Sequence, residues 1–553
     1  MSVSEVGREE GQGMTDGMDA VDAAELPRSE ASPEARTGPG PGPVSRSRHA
    51  VVIGGGLAGL LSAHVLADHA QQVTLIERDR FPDRGRASEQ EQEQEQEQQQ
   101  GRAEERDGEP AGERAAGQAW AQDRPGVPQG RHPHILLESG QQAIESLLPG
   151  FIAQLAAAGS PRVGLPADMV QWQERWFARL PATQSIFTGS RARLEQLVRD
   201  RVCANPAIRL VDATDVVGLT GDAERVRGVQ LRARGHGTRR ELAADLVVDA
   251  SGRGSHADRW LTGIGAEPPR VERLDTGLAY ASRLYRDTRG ELTRDGAPAG
   301  QEGGRRTDAL AYYVFPSPTH PNGGGILPVE GGRHLAILFG LRGDEPPTDE
   351  EEFTRYAATR LPHPFIHDWL THAEPLSPIH GFRNTANVRR RYDRPGRRPA
   401  GFLAVGDALC TFNPIYGQGM AVAAMTAVAL RDALADPRRT PTTLRVQRAL
   451  LDASRQAWEI SAGADKTMPG AVGDSAMTRT PLVQRPANWY LRRVQAYYAT
   501  EPVAAAAFRS VLDLSSPFTA LFTPKVARAV LLRPAPPAPT EPPLHRSSPS
   551  DAQ

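Results

Sequence analysis

The chain has 553 residues, with 65 Lys and Arg against 67 Asp and Glu, a net charge of −2, and two cysteines. Balanced charge offers no basic field for nucleic acid or anionic lipid, and Cys203 with Cys410 cannot build a disulfide framework, which suits a reducing cytoplasm. Arginine carries nearly all the positive charge, because Lys466 and Lys525 are the only lysines.

Residues 1–47 lack hydrophobic periodicity and are expected to be a disordered tail, with no apolar segment of the kind that opens a secretory signal. Val51, Val52 and Ile53 then read as a buried parallel strand, followed by Gly54-Gly55-Gly56-Leu57-Ala58-Gly59 and an apolar helix over Leu60–Ala67. Gly54 permits a tight turn, Gly56 lets a pyrophosphate approach the backbone, and Gly59 lets the helix pack closely on the strand. Phosphates would sit on the helix N-terminus beside Leu57 and Ala58, where free N–H groups and the dipole favour negative charge. A second strand ends at Glu77, with Arg78 beside it. An acid there can accept a hydrogen bond from a ribose with a free 2'-hydroxyl, so FAD or NAD is favoured over NADP.

The Glu/Gln-rich stretch 84–124 has no apolar face and is expected to be a low-complexity surface insertion. Ala143–Leu148 and Ile152–Ala158 look helical, and Leu194, Leu197, Val198 and Val202 mark an amphipathic helix over Arg191–Val202. A short buried strand, Leu246 to Val248, runs into Asp249-Ala250-Ser251-Gly252. Antiparallel strands are predicted over Leu278–Tyr285, Ala311–Phe315, Gly325–Val329 and Leu335–Leu341, with turns at Asn322-Gly323 and Glu330-Gly331-Gly332. Parallel-strand character returns at Phe402–Asp407 before an Ala-rich helix from about Gln418, and 440–530 is mostly helical. No stretch is long and apolar enough for a transmembrane segment. Val503–Leu512 and Phe518–Leu532 are amphipathic and interrupted by Arg509, Lys525 and Arg528.

The order describes an α/β protein: a Rossmann-like dinucleotide domain interrupted by an antiparallel-sheet substrate domain, with a helical C-terminal cap. The dinucleotide domain takes 48–160, 191–265 and 399–436, and the substrate domain 161–190 and 266–398. The cap takes 437–532, and 533–553 is expected to be a disordered tail.

Four segments carry a family resemblance: Gly54–Gly59 with Glu77; Ser190-Arg191-Ala192-Arg193-Leu194-Glu195; Asp249–Ser255; and Gly406-Asp407. In this order they resemble the FAD-dependent aromatic-hydroxylase superfamily. Arg124–His134, which contains Arg131, and Phe412–Met420 resemble more closely the bacterial flavin epoxidases of polyether biosynthesis. The resemblance implies that Arg191 reaches the FAD pyrophosphate, with Arg193 its neighbour; a solvated arginine is the plainer reading of either. Arg131 would also contact the cofactor. Gly406 would let the backbone touch FAD while Asp407 binds ribityl hydroxyls, although a turn aspartate is common there. Gly417-Gln418-Gly419-Met420 would stabilise charge on reduced flavin through helix N–H groups, and Pro414, Phe412 and Tyr416 would border the reactive ring face or simply pack the loop. Ser251-Gly252 stands where the superfamily has Asp-Gly. The reductant, NAD(P)H, therefore docks transiently or gives way to a separate flavin reductase.

The activity so implied is a monooxygenase. Reduced FAD and O2 form a C4a-hydroperoxide that transfers one oxygen to an apolar polyene or aromatic substrate, giving epoxide or hydroxylated product in secondary metabolism. Leu278, Tyr280, Tyr312, Phe315, Ile326 and Leu338 offer apolar faces for such a substrate, or for core. No catalytic residue is assigned. His132 and His134 make a poor metal site without further ligands. A halogenase would need a lysine between flavin and substrate, and none precedes Lys466. A reductase of isoprenoid double bonds and a non-catalytic flavoprotein stay open.

Overall fold

Val51, Val52 and Ile53 are apolar in unbroken succession because their strand is covered on both faces. It lies at the centre of a five-stranded parallel sheet, ordered Phe402–Ala404, Leu246–Asp249, Ser47–Ile53, Ala70–Ile76, Ile208–Val211. The computed structural model describes residues 47–81, 124, 126–235, 237–287, 308–394, 396, 398–474 and 485–545. The expected N-terminal tail, almost all of the Glu/Gln insertion and the last eight residues fall outside them. Register pairs Ile53 with both Asp249 and Ile76. The C-terminal ends of three strands thus meet at one edge, where Gly54, Glu77 and Ala250 leave the sheet. Helices Leu57–Leu66, Arg191–Val202 and Gly419–Ala435 share one core with this sheet.

Between the third and fourth strands of that sheet in chain order, Ile208–Val211 and Leu246–Asp249, sits a three-stranded antiparallel sheet, Thr214–Gly221, Val226–Ala233 and Arg239–Ala243, which the sequence pattern does not predict. Its outer strand Arg-Arg-Glu-Leu-Ala is exposed or half-buried throughout, so it carries little apolar alternation.

The region expected to form the substrate domain is built on a seven-stranded sheet whose central path is Ala279–Arg286, Arg333–Gly340, Gly323–Val329, Ala311–Val314 and Met169–Trp172. The last pair is parallel and the others antiparallel. Two helices absent from the sequence reading, Glu350–Arg360 and Phe365–His372, cover one face. Phe353, Trp369 and Leu370 pack there against Val170, Trp172, Ala281, Tyr312, Val314, Ile326, Ala336 and Leu338. The other face stays open to a cavity.

Of the C-terminal helices, Thr443–Ala453 and Arg455–Asp465 contribute Val446, Leu450, Leu451 and Trp458 to the dinucleotide-domain core. Arg485–Tyr498, Pro502–Leu512 and Pro524–Leu532 form a cluster of their own around Val494, Tyr497, Val511, Leu521, Val526 and Val530. Residues 533–545, expected to belong to a disordered tail, have no helix or strand but are tied to the fold through their carbonyls. Tyr497 Oη donates to Arg533 O, Thr500 Oγ1 to Pro536 O and Arg179 Nη1 to Leu544 O, because a Pro-rich segment outside any sheet leaves its carbonyls free for outside donors. No described helix is long and apolar enough to cross a membrane.

Asp513 fastens the outer helices to the dinucleotide domain. It follows the Pro502–Leu512 helix, and its Oδ1 accepts from Glu138 N at 2.8 Å, at the start of the Glu138–Leu147 helix. Burial pushes its carboxyl up from 3.8 to about 7. A raised folded-state pKa favours the protonated form, so this contribution to stability is complete below about pH 4 and fades as pH rises toward 7. Urea unfolding across that range is expected to show the decline in the wild type and a flatter profile in Asp513→Asn, whose amide oxygen still accepts from Glu138 N.

Candidate functional site

One cavity of about 2680 Å³ runs between the C-terminal edge of the parallel sheet and the open face of the substrate sheet. Its first half begins at the glycine turn. Gly54 has φ +105°, and a β-carbon there would lie 2.5 Å from Ala250 O. A β-carbon on Gly59 would lie 1.8 Å from Gly54 O, so the helix sits against the turn with no room for any side chain. Gly59 accordingly lies in the packing and does not line the cavity. Gly54, Gly56, Leu57 and Ala58 do line it.

Glu77 lines the cavity and is tied down by backbone: Oε2 accepts from Gly55 N at 2.7 Å and Oε1 from Asp79 N at 2.9 Å. Arg78 stands exposed at the rim. Arg124, which no sequence motif marks as a site residue, bridges Glu77 Oε2 at 2.8 Å and Glu195 Oε2 at 2.7 Å. Glu195 Oε1 accepts from Arg191 Nε at 2.9 Å. Burial opposes the charge on Glu195, but Arg191 and Arg124 together hold its carboxyl below the ordinary range. The ladder brings Arg191 to the phosphate end: a β-carbon on Gly56 would lie 3.9 Å from Arg191 Nη2.

The late helix faces the same space. Gly406, Asp407, Pro414, Gly417, Gln418, Gly419 and Met420 all line the cavity. The carboxylate of Asp407 has no hydrogen bond among the described residues, and Gln418 Oε1 is buried without a partner. The first intrahelical bond here is Val422 N to Gln418 O, which leaves the N–H groups of Gly419, Met420 and Ala421 unclaimed within the helix. Acceptor, donors and glycine turn form a cradle for a dinucleotide with a polar, partly anionic ring.

Arg131, expected to contact the cofactor, lies away from the cradle. It points outward from the 3₁₀ turn Pro128–Arg131, is exposed, lies off the cavity lining, and its Nη1 is 3.2 Å from His380 Nδ1. The turn aims His132 inward instead.

A family model described as "FAD binding domain" matches residues 48–264. Protein Rv3254 of Mycobacterium tuberculosis is 30% identical over 503 residues, covering 87% of this chain and 93% of that protein. The chain belongs to the family of flavoproteins built on this FAD-binding domain. Two solved structures share the fold: a flavoprotein/dehydrogenase from Cytophaga hutchinsonii (15% identity, TM-score 0.52, covering 87% of this chain and 96% of that one) and the myxobacterial chondrochloren halogenase CndH (16%, 0.51, 90% and 100%).

The flavoprotein's second half-cavity is apolar. Leu278, Tyr280, Tyr313, Phe315, Ile337 and Phe339 line it. Tyr312, Ile326 and Leu338, offered with them as apolar faces from sequence, lie in the helix-covered core instead. His132 is buried, edge-on to Tyr280 at 4.6 Å, with Nδ1 and the Ser282 hydroxyl hydrogen bonded at 2.9 Å. Burial, aided by His134, lowers its pKa to about 3. His134 donates from Nδ1 to His132 O at 2.8 Å, and burial with Arg191 nearby lowers it to about 4. Both imidazoles are neutral at physiological pH. Lys466 also lines the cavity. Although no lysine precedes it in the chain, Lys466 reaches the site because the Arg455–Asp465 helix runs back to the cavity.

Buried Asp465 holds the loop that opens the late helix. Its Oδ2 accepts from Asn413 Nδ2 at 2.9 Å and Asn387 Nδ2 at 2.6 Å, and its Oδ1 from Tyr416 Oη at 2.7 Å. Asp249 is fully buried, accepting from the hydroxyls of Ser251 and Ser255 at 2.5 and 2.6 Å. Ser251 thus braces the strand end. Asp407→Ala is expected to weaken FAD binding at least about tenfold, read by flavin fluorescence on release, since a charged acceptor contributes roughly 1.5–3 kcal/mol. Wild-type affinity in this variant would place the carboxylate outside the cofactor contacts.

Proposed function

We propose that this flavoprotein is an FAD-dependent monooxygenase that places one oxygen of O2 into an apolar polyene or aromatic substrate. Epoxidation of an alkene in secondary metabolism, in the cytoplasm, is the outcome we favour over hydroxylation. One observation carries the reading: the cofactor cradle and an aromatic sheet face are walls of one cavity. Bound FAD supplies the reduction of O2 that neither wall can perform alone.

The chain's own residues bind, orient and exclude water. The glycine turn, Glu77 and Arg191 would hold the dinucleotide end of FAD. Asp407 would hold the ribityl hydroxyls, and the N–H groups of Gly419 and Met420 the electron-rich edge of the ring. Pro414 stands exposed to the cavity in the loop that Asp465 fastens, a fitting border for the ring. Tyr280, Tyr313 and Phe339 keep the substrate side dry, which protects a reactive oxygen donor from water. His132 and His134, held neutral, add no charge to that wall. Electrons come from NAD(P)H docking transiently or from a separate flavin reductase.

Lys466 favours a second reading, halogenation, since a lysine amine in a flavin cavity can carry an oxidised halogen to the substrate. One experiment separates the two. The reduced holoenzyme is given labelled O2, bromide and a polyene panel, and products are weighed by mass spectrometry. Heavy oxygen in the product is expected. Brominated product lost in Lys466→Met would move the assignment to halogenase, and an unlabelled product with a reduced double bond would sink both.

A further inference from the structure

The strand Met169–Trp172 sends alternate side chains to opposite faces. Val170 and Trp172 go to the helix-covered core, while Met169, Gln171 and the following Gln173 line the cavity. On the neighbouring strands the cavity-facing side chains Tyr313, Ile337 and Phe339 are apolar or aromatic, so Gln171 is an amide set among them, and it is only 2% exposed. Behind it lies Arg509, 4% exposed, whose Nη2 donates to Gln171 Oε1 at 2.8 Å and whose guanidinium lies over the Tyr498 ring at 4.9 Å.

A guanidinium only donates, so it fixes which end of the amide faces it. Oε1 must turn toward Arg509, which commits the Nε2 amino group to the other side. Among the described residues Nε2 has no protein partner, and it is not among the atoms sealed from space, so it opens on the cavity. Arg509 Nε is itself buried without a partner, and no described carboxylate acts on this arginine. A buried cation without a counter-charge is costly. The two arginines of the ladder in the other half of the cavity, Arg124 and Arg191, by contrast each have a carboxylate within 3 Å.

We propose that Gln171 sets substrate specificity by presenting its amino group to a carboxylate at one end of an otherwise apolar substrate, with Arg509 as the residue that positions and polarises it. The anion completes what Arg509 lacks, and the aromatic face takes the chain or ring attached to it. This rests on reading the second half-cavity as the substrate's.

The test uses flavin-loaded protein and two fluorescent probes of equal chain, cis-parinaric acid and the corresponding alcohol, titrated at a pH where the acid is ionised. Wild type is expected to bind the acid roughly tenfold or more tighter than the alcohol, the fold-change of one hydrogen bond to a charged group. Gln171→Leu and Gln171→Glu should lose that preference while alcohol affinity and the visible flavin spectrum stay unchanged. Arg509→Met should do the same if it folds, and the two Gln171 variants decide the matter if it does not. Equal affinity for both probes, no binding of either by flavin-loaded wild type, or an undiminished acid preference in Gln171→Leu would overturn the inference. None of these results bears on oxygen transfer, which the labelled-oxygen experiment judges separately.

Discussion

The contact between Gly59 and the Gly54 carbonyl is the constraint on which the site depends. At 1.8 Å from the place of a β-carbon, that carbonyl excludes every side chain and sets the distance between the first helix and the turn. Once that distance is set, the helix N-terminus, Glu77 and the Ala250 carbonyl converge on one edge of the parallel sheet. The strand Phe402–Ala404 extends the same edge and delivers Gly406 and Asp407 to it. A cofactor spanning this edge would be held by groups that are close already for packing reasons, so little side-chain freedom would remain to be lost on binding.

That half of the site was legible because its signal is local. Strand, glycine turn, helix and acid occupy a single short run of sequence, and each residue type there has one physical reason. The substrate half was not legible, because it depends on strand register. Shifting attention by one residue exchanges Tyr312 for Tyr313 or Leu338 for Phe339, and with it core for cavity. Nothing in either strand's own composition decides between the two, since the sheet is apolar on both faces. The decision comes from helices Glu350–Arg360 and Phe365–His372, which cover one face only. Arg124 and Lys466 escaped for a related reason. The first stands at the very end of the long Glu/Gln stretch, and the second follows a helix whose apolar residues look like ordinary packing.

Charge is handled differently in the two halves. In the cofactor half, Glu77, Arg124, Glu195 and Arg191 alternate in sign along a ladder of short contacts, so each buried charge has an opposite neighbour. Such a ladder costs less to order than isolated pairs, and it leaves Arg191 beside Gly56 with donors still available for a phosphate. Asp465 plays a comparable part without a cation: three neutral donors surround it, and burial raises its pKa despite them. Its three bonds tie the Arg455–Asp465 helix to the loop at Asn413 and Tyr416.

The C-terminal helices therefore do more than close the cavity. Asp465 ties one of them to the flavin-side loop, Asp513 ties another to the Glu138–Leu147 helix, and Arg509 reaches a strand of the substrate sheet. Three polar anchors, Asp465, Arg509 and Asp513 in chain order, touch the loop at Asn413, the wall of the antiparallel sheet and the dinucleotide domain in turn. Apolar packing alone would hold these helices in place without specifying their register, because one leucine contact resembles the next. Buried polar contacts have few alternatives. A chain whose parallel sheet and antiparallel sheet come from interleaved segments needs such a fastening, since the cavity between them has correct dimensions only while both walls keep their spacing.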